Sequence, residues 1–252
     1  MEKDFINLTE ENLEKEHLCC IIRSRVLHPG VEAKRKWLAE NISRGHVFRK
    51  LNKKATAFIE YAPLENAWVP IEGDNFLYIY CLWVTGEEKN HGYGKELLEY
   101  CIKDAKRKGM SGVCFLGAKK QKGWLQNQSF ACKYGFQAVD ETPSGYLLFA
   151  LAFDGTAPRF SNAARSEAID SEELTIFYDH QCPFIYQKIE KIREYCMEKH
   201  VPLSLNYVDT LKKAKELPCP FNNWAVFYRG KFVTVNVLDI EQIGRLVENG
   251  ID

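Results

Sequence analysis

The chain has 252 residues, of which 46% are hydrophobic and 27% charged, with 34 basic side chains against 34 acidic ones. This is the composition of a soluble globular protein long enough for two ordinary domains. A zero formal charge speaks against nucleic-acid and membrane-surface partners, which select a basic excess.

No apolar run approaches the ~20 residues of a membrane span. The first ten residues lack the apolar core of a signal peptide. Nine scattered cysteines, an odd number, read as reduced thiols of a cytoplasmic protein rather than a disulfide framework.

In chain order, residues 8–18 open with a capping pattern, Thr9 followed by Asn12, and predict a helix. A second helix is expected over 31–44, with Val31, Trp37, Leu38 and Ile42 near one face. Its Lys34-Arg35-Lys36 run is read as a solvated face. Residues 46–51 and 56–61 read as strands, and 62–75 as a Pro/Gly-containing loop whose Trp68 is expected to wall a cleft, with filling the core as the other reading. Residues 76–84 are apolar, aromatic and β-branched, as in a buried strand. Leu97, Leu98, Cys101, Ile102 and Ala105 then recur at helical spacing. Strand 112–117, helix 124–134 and strands 136–139 and 146–153 complete this part.

Between the apolar strand and its helix lie Gly92 and Gly94, which let backbone approach a ligand closely. The helix start offers free N–H groups and the positive end of its dipole, a ready phosphate site. Lys89 and Lys95 bracket the turn and His91 lies inside it. A dinucleotide fingerprint fails because its third glycine position is Leu97. A phosphate loop fails because Glu96 follows Lys95. The pattern Val84-x-x-x-x-Lys89-x-x-Gly92-x-Gly94 resembles the acetyl-CoA signature of the GNAT N-acetyltransferases, with Lys89 where the family usually carries Gln or Arg. The element order over 1–153 is similar as well.

The resemblance implies acetyl-CoA as acyl donor. The backbone of Leu82, Trp83 and Val84 would hold the pantetheine arm. Lys89, Asn90, His91, Gly92, Tyr93, Gly94 and Lys95 would hold the pyrophosphate. An amine of a small molecule or peptide would attack the thioester after losing a proton to a general base. The family tyrosine that protonates the leaving thiolate falls on Ala131, so Tyr134 or Cys132 is the substitute acid, unless the thiolate leaves unassisted. The family asparagine falls near Trp124, and Asn127 reaches it only with a shift of register. Base candidates are Tyr78, where some members carry a catalytic Glu, and Glu60 on the preceding strand. A tyrosine at its ordinary pKa of ~10 would orient a water rather than take a proton. Packing with a wet hydroxyl is the other reading for Tyr78 and Tyr80, and an exposed strand charge the other reading for Glu60.

Residues 154–173 are polar and aperiodic and read as a linker. Beyond them the pattern is strand 174–178, a helix opened by Cys182-Pro183-Phe184, strand 203–208, a hairpin of 224–228 and 231–237, and a last helix capped by Asp239. This βαβ-then-ββα order resembles the thioredoxin fold, and the whole chain is similar to a GNAT acetyltransferase with a YoaP-like C-terminal domain. The expected class is α/β with α+β mixed sheets: a GNAT acyl-CoA N-acyltransferase fold over 1–153, a linker over 154–173, and a thioredoxin-like domain over 174–252.

Ile185 replaces the second cysteine of a dithiol motif, leaving Cys182 alone there. Cys219 precedes Pro220, taken as the cis-proline, with Pro218 the other choice. The two thiols are therefore expected to approach, with Cys182 made acidic by its helix. A thiol-sensing, acyl-CoA-binding module with reduced catalysis is the alternative function. No metal site is expected, since His180 and Cys182 are an isolated pair.

Overall fold

A computed structural model describes residues 4–21 and 28–250. The outer limits expected for the two domains, residues 1 and 252, lie outside that range. The chain enters through an edge strand, β1 (Phe5–Asn7), which is too short to show a period in sequence. Residues 10–16 form turns rather than the expected helix. Thr9 and Asn12 do cap, the Asn12 side chain accepting the Thr9 N–H at 2.9 Å. However, Leu13 and Leu18, both buried, are five residues apart, a spacing one helix face does not offer.

Helix α1 (Pro29–Ile42) starts on a proline, with His28 accepting the Gly30 N–H, as the missing donor of a first-turn proline allows. Then come β2 (Val47–Leu51), β3 (Ala57–Pro63), β4 (Ile71–Glu72), β5 (Phe76–Val84) and α2 (Tyr93–Arg107). These are followed by β6 (Gly112–Ala118), β7 (Gln126–Asn127), α3 (Gln128–Lys133), β8 (Gln137–Glu141) and β9 (Tyr146–Ala152). The helix expected over 124–134 begins only at 128. Asn127 accepts the Phe130 N–H at 3.0 Å and so stands at the cap, outside the helix.

All of these strands but β4 form one mixed sheet in the order β1-β2-β3-β5-β6-β9-β8, with β7 beside β6. Leu97, Leu98, Cys101 and Ala105 of α2 pack on one face, against Leu77, Ile79, Val113 and Phe115.

Residues 154–173 lie along the molecule. Their strand β10 (Arg159–Phe160) pairs with β4, Phe160 is buried, and the Ile169 N–H donates to the Gly230 carbonyl at 2.9 Å. Next come β11 (Leu174–Tyr178), α4 (Phe184–Glu198), β12 (Leu203–Tyr207), α5 (Leu211–Lys215), β13 (Trp224–Tyr228), β14 (Lys231–Thr234) and α6 (Ile240–Asn249). The second sheet runs β12-β11-β13-β14, with only the β11–β12 pair parallel, as a crossover through α4 requires. Asp239 caps α6 through a full capping box with Gln242.

A single apolar core crosses between the sheets: Phe48, Tyr78 and Leu148 belong to it together with Leu217, Phe221, Phe227 and Phe232. Trp68 lies within this core, 3% exposed, and not on a cleft wall as expected. The aromatic-rich face of the first sheet is buried by the second half of the chain, and the loop carrying Trp68 is caught between them.

Candidate active site

The central strand β5 pairs with β3 along its whole length but with β6 only from Phe76–Gly112 to Tyr78–Cys114. Beyond Tyr78 the two parallel strands part. At the same place β5 carries one extra residue: Glu60 stands opposite Cys81 and Tyr61 opposite Ile79, leaving Tyr80 as a bulge. The bulge resets the alternation, so Tyr78, Tyr80, Cys81 and Trp83 all pack toward the second half of the chain. Ile79, Leu82 and Val84 face α2. A cavity of about 370 Å³ fills the gap. Leu82 and Trp83 of β5 and Phe130 of α3 line one side of it. Lys34, Glu60, Gln181, Cys182 and Asn222 line the other.

The half-buried end of β5, from Leu82 through Trp83 to Val84, leads to the exposed turn of Lys89, Asn90, His91 and Gly92. Gly92 caps α2 with φ +79°, and Asn90 has φ +65°, the left-handed region open to glycine and asparagine. Tyr93, Gly94 and Lys95 form the first turn of α2, whose N–H groups precede the helical ladder. A Cβ on Gly94 would meet only Val84, at an ordinary 3.7 Å. Among the described residues no atom therefore demands a glycine there.

A buried polar network closes the floor. Lys34 Nζ donates to Glu60 Oε2 at 2.7 Å, to Oε1 at 2.9 Å, and to the Gln181 carbonyl at 2.6 Å. His46 Nε2 lies 2.9 Å from Glu60 Oε1, and Gln181 Nε2 donates to Oε2 at 2.8 Å. Lys34 is 2% exposed and Glu60 1%, so neither the solvated face expected for Lys34 nor an exposed strand charge at Glu60 is what the fold makes. The signal for Lys34 was its place three residues from both Val31 and Trp37 on the apolar side of α1. Burial pushes the Glu60 carboxyl up, but Lys34 and His46 outweigh it and hold it below the ordinary carboxylate range. Burial likewise opposes the Lys34 charge, and Glu60 raises it above the usual lysine value.

Tyr78 is fully buried, and its hydroxyl donates to Asn222 Oδ1 at 2.8 Å. The Tyr80 hydroxyl accepts the Trp68 N–H at 2.6 Å. Burial pushes both phenols well above their ordinary value, so the wet hydroxyls expected there are dry. Tyr134 ends α3 with its ring 5.0 Å from Phe130. Phe130, one turn earlier, lines the cavity. Ala131 is buried on the α2 side. Sequence reading passed over the helical signal at Lys34 and missed His46, Gln181, Asn222 and Asn223, because polar residues in turns and loops carry no periodic signal of their burial.

The expected acidity of Cys182 is corrected. Cys182 precedes the cap of α4 and is not acidified. Burial pushes its thiol up to about 12, with Cys19 and Cys20 nearby. Cys219 is fully buried in the shared core and its thiol is raised by burial as well. Both are free thiols, and neither environment supports a sensing pair. No peptide bond among the described residues is cis, so neither Pro218 nor Pro220 is the expected cis-proline. Asp179, just before this turn, is fully buried. Its Oδ1 accepts the Gln181 N–H at 2.9 Å, its Oδ2 has no partner among the described residues, and burial pushes its carboxyl up to about 8.

A parted parallel pair running into a glycine-turned helix start is the arrangement that the GNAT resemblance implies. Residues 11–136, half of the chain, match the Acetyltransferase (GNAT) family, and residues 202–245 match the YoaP-like family. The chain belongs to the GNAT family and is an N-acetyltransferase; acetyl-CoA is the acyl donor of that family.

Among relatives it is similar to the uncharacterized N-acetyltransferase YoaP of Bacillus subtilis (strain 168), at 36% identity over 245 residues, 96% of this chain and 98% of that protein. Solved structures resemble it more distantly. A putative GNAT acetyltransferase from Desulfovibrio desulfuricans has TM-score 0.42 and 15% identity, over 59% of this chain and 97% of that one. The PaiA N-acetyltransferase of Thermoplasma acidophilum, in complex with coenzyme A, has TM-score 0.41 and 18% identity, over 61% and 100%. Among the described residues no helix is long and apolar enough to cross a membrane.

Proposed function

We propose that the chain transfers the acetyl group of acetyl-CoA to an amine of a small molecule or peptide. The observation that carries this reading is the parting of β5 from β6 after Tyr78, directly ahead of the Gly92–Gly94 helix start. The parted edge offers β5 backbone groups at Leu82, Trp83 and Val84 to the pantetheine amides, the long 3.5 Å bond from Gln126 Nε2 to the Leu82 carbonyl giving way. The first N–H groups of α2, with Lys89 and Lys95 beside them, suit the pyrophosphate. Glycine at 94, where the described residues leave room for a side chain, fits clearance for that ligand.

In this reading Glu60 does not take the proton. Its two oxygens are engaged by Lys34, His46 and Gln181, and protonating it would strand the Lys34 charge. The acceptor amine therefore yields its proton to water in the cleft, and Tyr78 orients through its hydrogen bond rather than as a base. Tyr134 stands behind Phe130, so the thiolate leaves without it. The two-part organisation, 1–153 and 174–252 about the segment 154–173, belongs to the same proposal. So does the thioredoxin-like reading of the second part, which the β12-β11-β13-β14 order supports.

Gly92→Asp and Gly94→Asp each place a carboxylate where the pyrophosphate would lie. Isothermal titration of the folded variants with coenzyme A should show affinity weakened ~10-fold or more, one repelled charge being worth at least ~1.4 kcal/mol at such close range. Wild-type affinity in both variants would overturn the placement.

A further inference from the structure

The cavity wall facing the parted strands is built by the second half of the chain. Asn222, in the turn before β13 and within the YoaP-like match, reaches across to the bulge. Its Oδ1 accepts the Tyr78 hydroxyl at 2.8 Å and its Nδ2 donates to the Tyr80 carbonyl at 3.2 Å. Tyr78 is the last β5 residue paired with β6, and Tyr80 is the bulged residue without a β3 partner. Asn222 thus grips the central strand on both sides of the point where the cleft opens. Its neighbour Asn223 donates to Gln181 Oε1 at 2.7 Å, and Gln181 is held in turn by Glu60 and Lys34. With the shared core behind them, these links fix the wall. Swinging it away would take Gln181 from Glu60 and Lys34, which stay paired with each other, and expose Leu217, Phe221 and Phe227.

We propose that the YoaP-like segment forms the acceptor side of the acetyl-transfer site. Asn222 is its positioning residue, and the acceptor is a small primary amine rather than a protein chain. This rests on the cleft being the acetyl-CoA cleft of the preceding subsection. A carbonyl oxygen has two lone pairs, so the Tyr80 carbonyl, held by Asn222 through one, keeps the other for an amine N–H. An amine held there is aimed at the thioester carbonyl, which is how positioning lowers a transfer barrier. Its nitrogen forms the new C–N bond, the C–S bond breaks, coenzyme A leaves as thiolate with the electron pair, and the surplus ammonium proton passes to water.

A cavity of about 370 Å³ is near the lower end of ligand-pocket sizes. It must also admit the end of the pantetheine arm, which leaves space for a compact acceptor. On its floor the Lys34 ammonium and the Glu60 carboxylate neutralise each other, and the lining carries one further side chain of each sign, Lys188 and Asp239.

The test uses the full chain, acetyl-CoA, and coenzyme A release followed by chromatography. Benzylamine, phenethylamine and spermidine are compared with a short peptide bearing a free N-terminus and an internal lysine. Hydrolysis, with water as acceptor, is followed in parallel as a rate that needs no amine. We expect a small amine to be acetylated and the peptide to be left at the hydrolysis rate. Asn222→Ala, and Asn222→Asp which keeps an acceptor for Tyr78 but loses the donor to Tyr80, should each lower kcat ~10-fold or more. Their coenzyme A affinity should stay within about twofold of wild type. Wild-type kcat in folded Asn222→Ala, or peptide acetylation as fast as that of the best small amine, overturns the proposal. If Asn222→Ala does not fold, Tyr78→Phe serves in its place, and an unchanged kcat counts against the proposal equally. Failure of the wild type to bind coenzyme A is a separate result and refutes the cleft assignment itself.

Discussion

Replacing Lys34 by Met tests the buried network most directly. The substitution keeps an unbranched stem of similar volume, so little cavity term arises. It deletes the hydrogen bonds of 2.6, 2.7 and 2.9 Å that Nζ donates. Glu60 would then be a carboxylate 1% exposed with only His46 and Gln181 as partners among the described residues, and the Gln181 carbonyl would lose its donor. Removing one member of a buried ion pair costs ~3–5 kcal/mol, and an orphaned carbonyl adds ~1–3 kcal/mol where it cannot find water. Partial relaxation brings the expected loss to about 4 kcal/mol, a large share of the ~5–15 kcal/mol a domain possesses. Urea unfolding at neutral pH, read by tryptophan fluorescence, reports it, since Trp37 lies 5.9 Å from the Lys34 ammonium. Adding Glu60→Gln removes the stranded charge and should recover at least half of the loss, a coupling visible as non-additivity. A loss below ~1 kcal/mol, the range of exposed pairs, or a double variant no better than the single one, would refute the network as the clamp between the two halves.

Asp179 makes stability depend on pH. Its folded pKa, about 8, is raised above the unfolded carboxylate value, so the folded state holds its proton more tightly and stability falls as pH rises from ~4 to about 8. Asp179→Asn removes that slope, and its stability relative to wild type should grow by about 4 kcal/mol between pH 4 and pH 7, at ~1.4 kcal/mol per pH unit; a pH-independent difference in paired urea titrations would contradict this. Cys182, its thiol at about 12, should be alkylated by iodoacetamide at pH 8 far more slowly than the exposed Cys132. Mass-spectrometric mapping that finds Cys182 labelled as fast would show that its burial has been overstated.

Features decided within one strand or one helical turn were legible in the residues alone. The bounds of β5 at Phe76 and Val84, the glycine-turned start of α2 and the Asp239 cap of α6 all stand where local pattern puts them. Each depends on alternation, a positive φ or a nearby side chain, and these are properties of neighbours in sequence. The family signature is legible for the same reason, since a phosphate turn needs its glycines and helix start in immediate succession. What the tertiary structure decided is which polar groups would be buried together. Lys34 looked like a solvated lysine because its partners, Glu60 and Gln181, lie 26 and 147 residues away. Asn222 meets Tyr78 across 144 residues and Tyr80 across 142. A charge or an amide shows the same face to a sequence reader whether water or a distant partner will satisfy it. Only the docking of the second sheet on the first removes the water and makes the pairing obligatory.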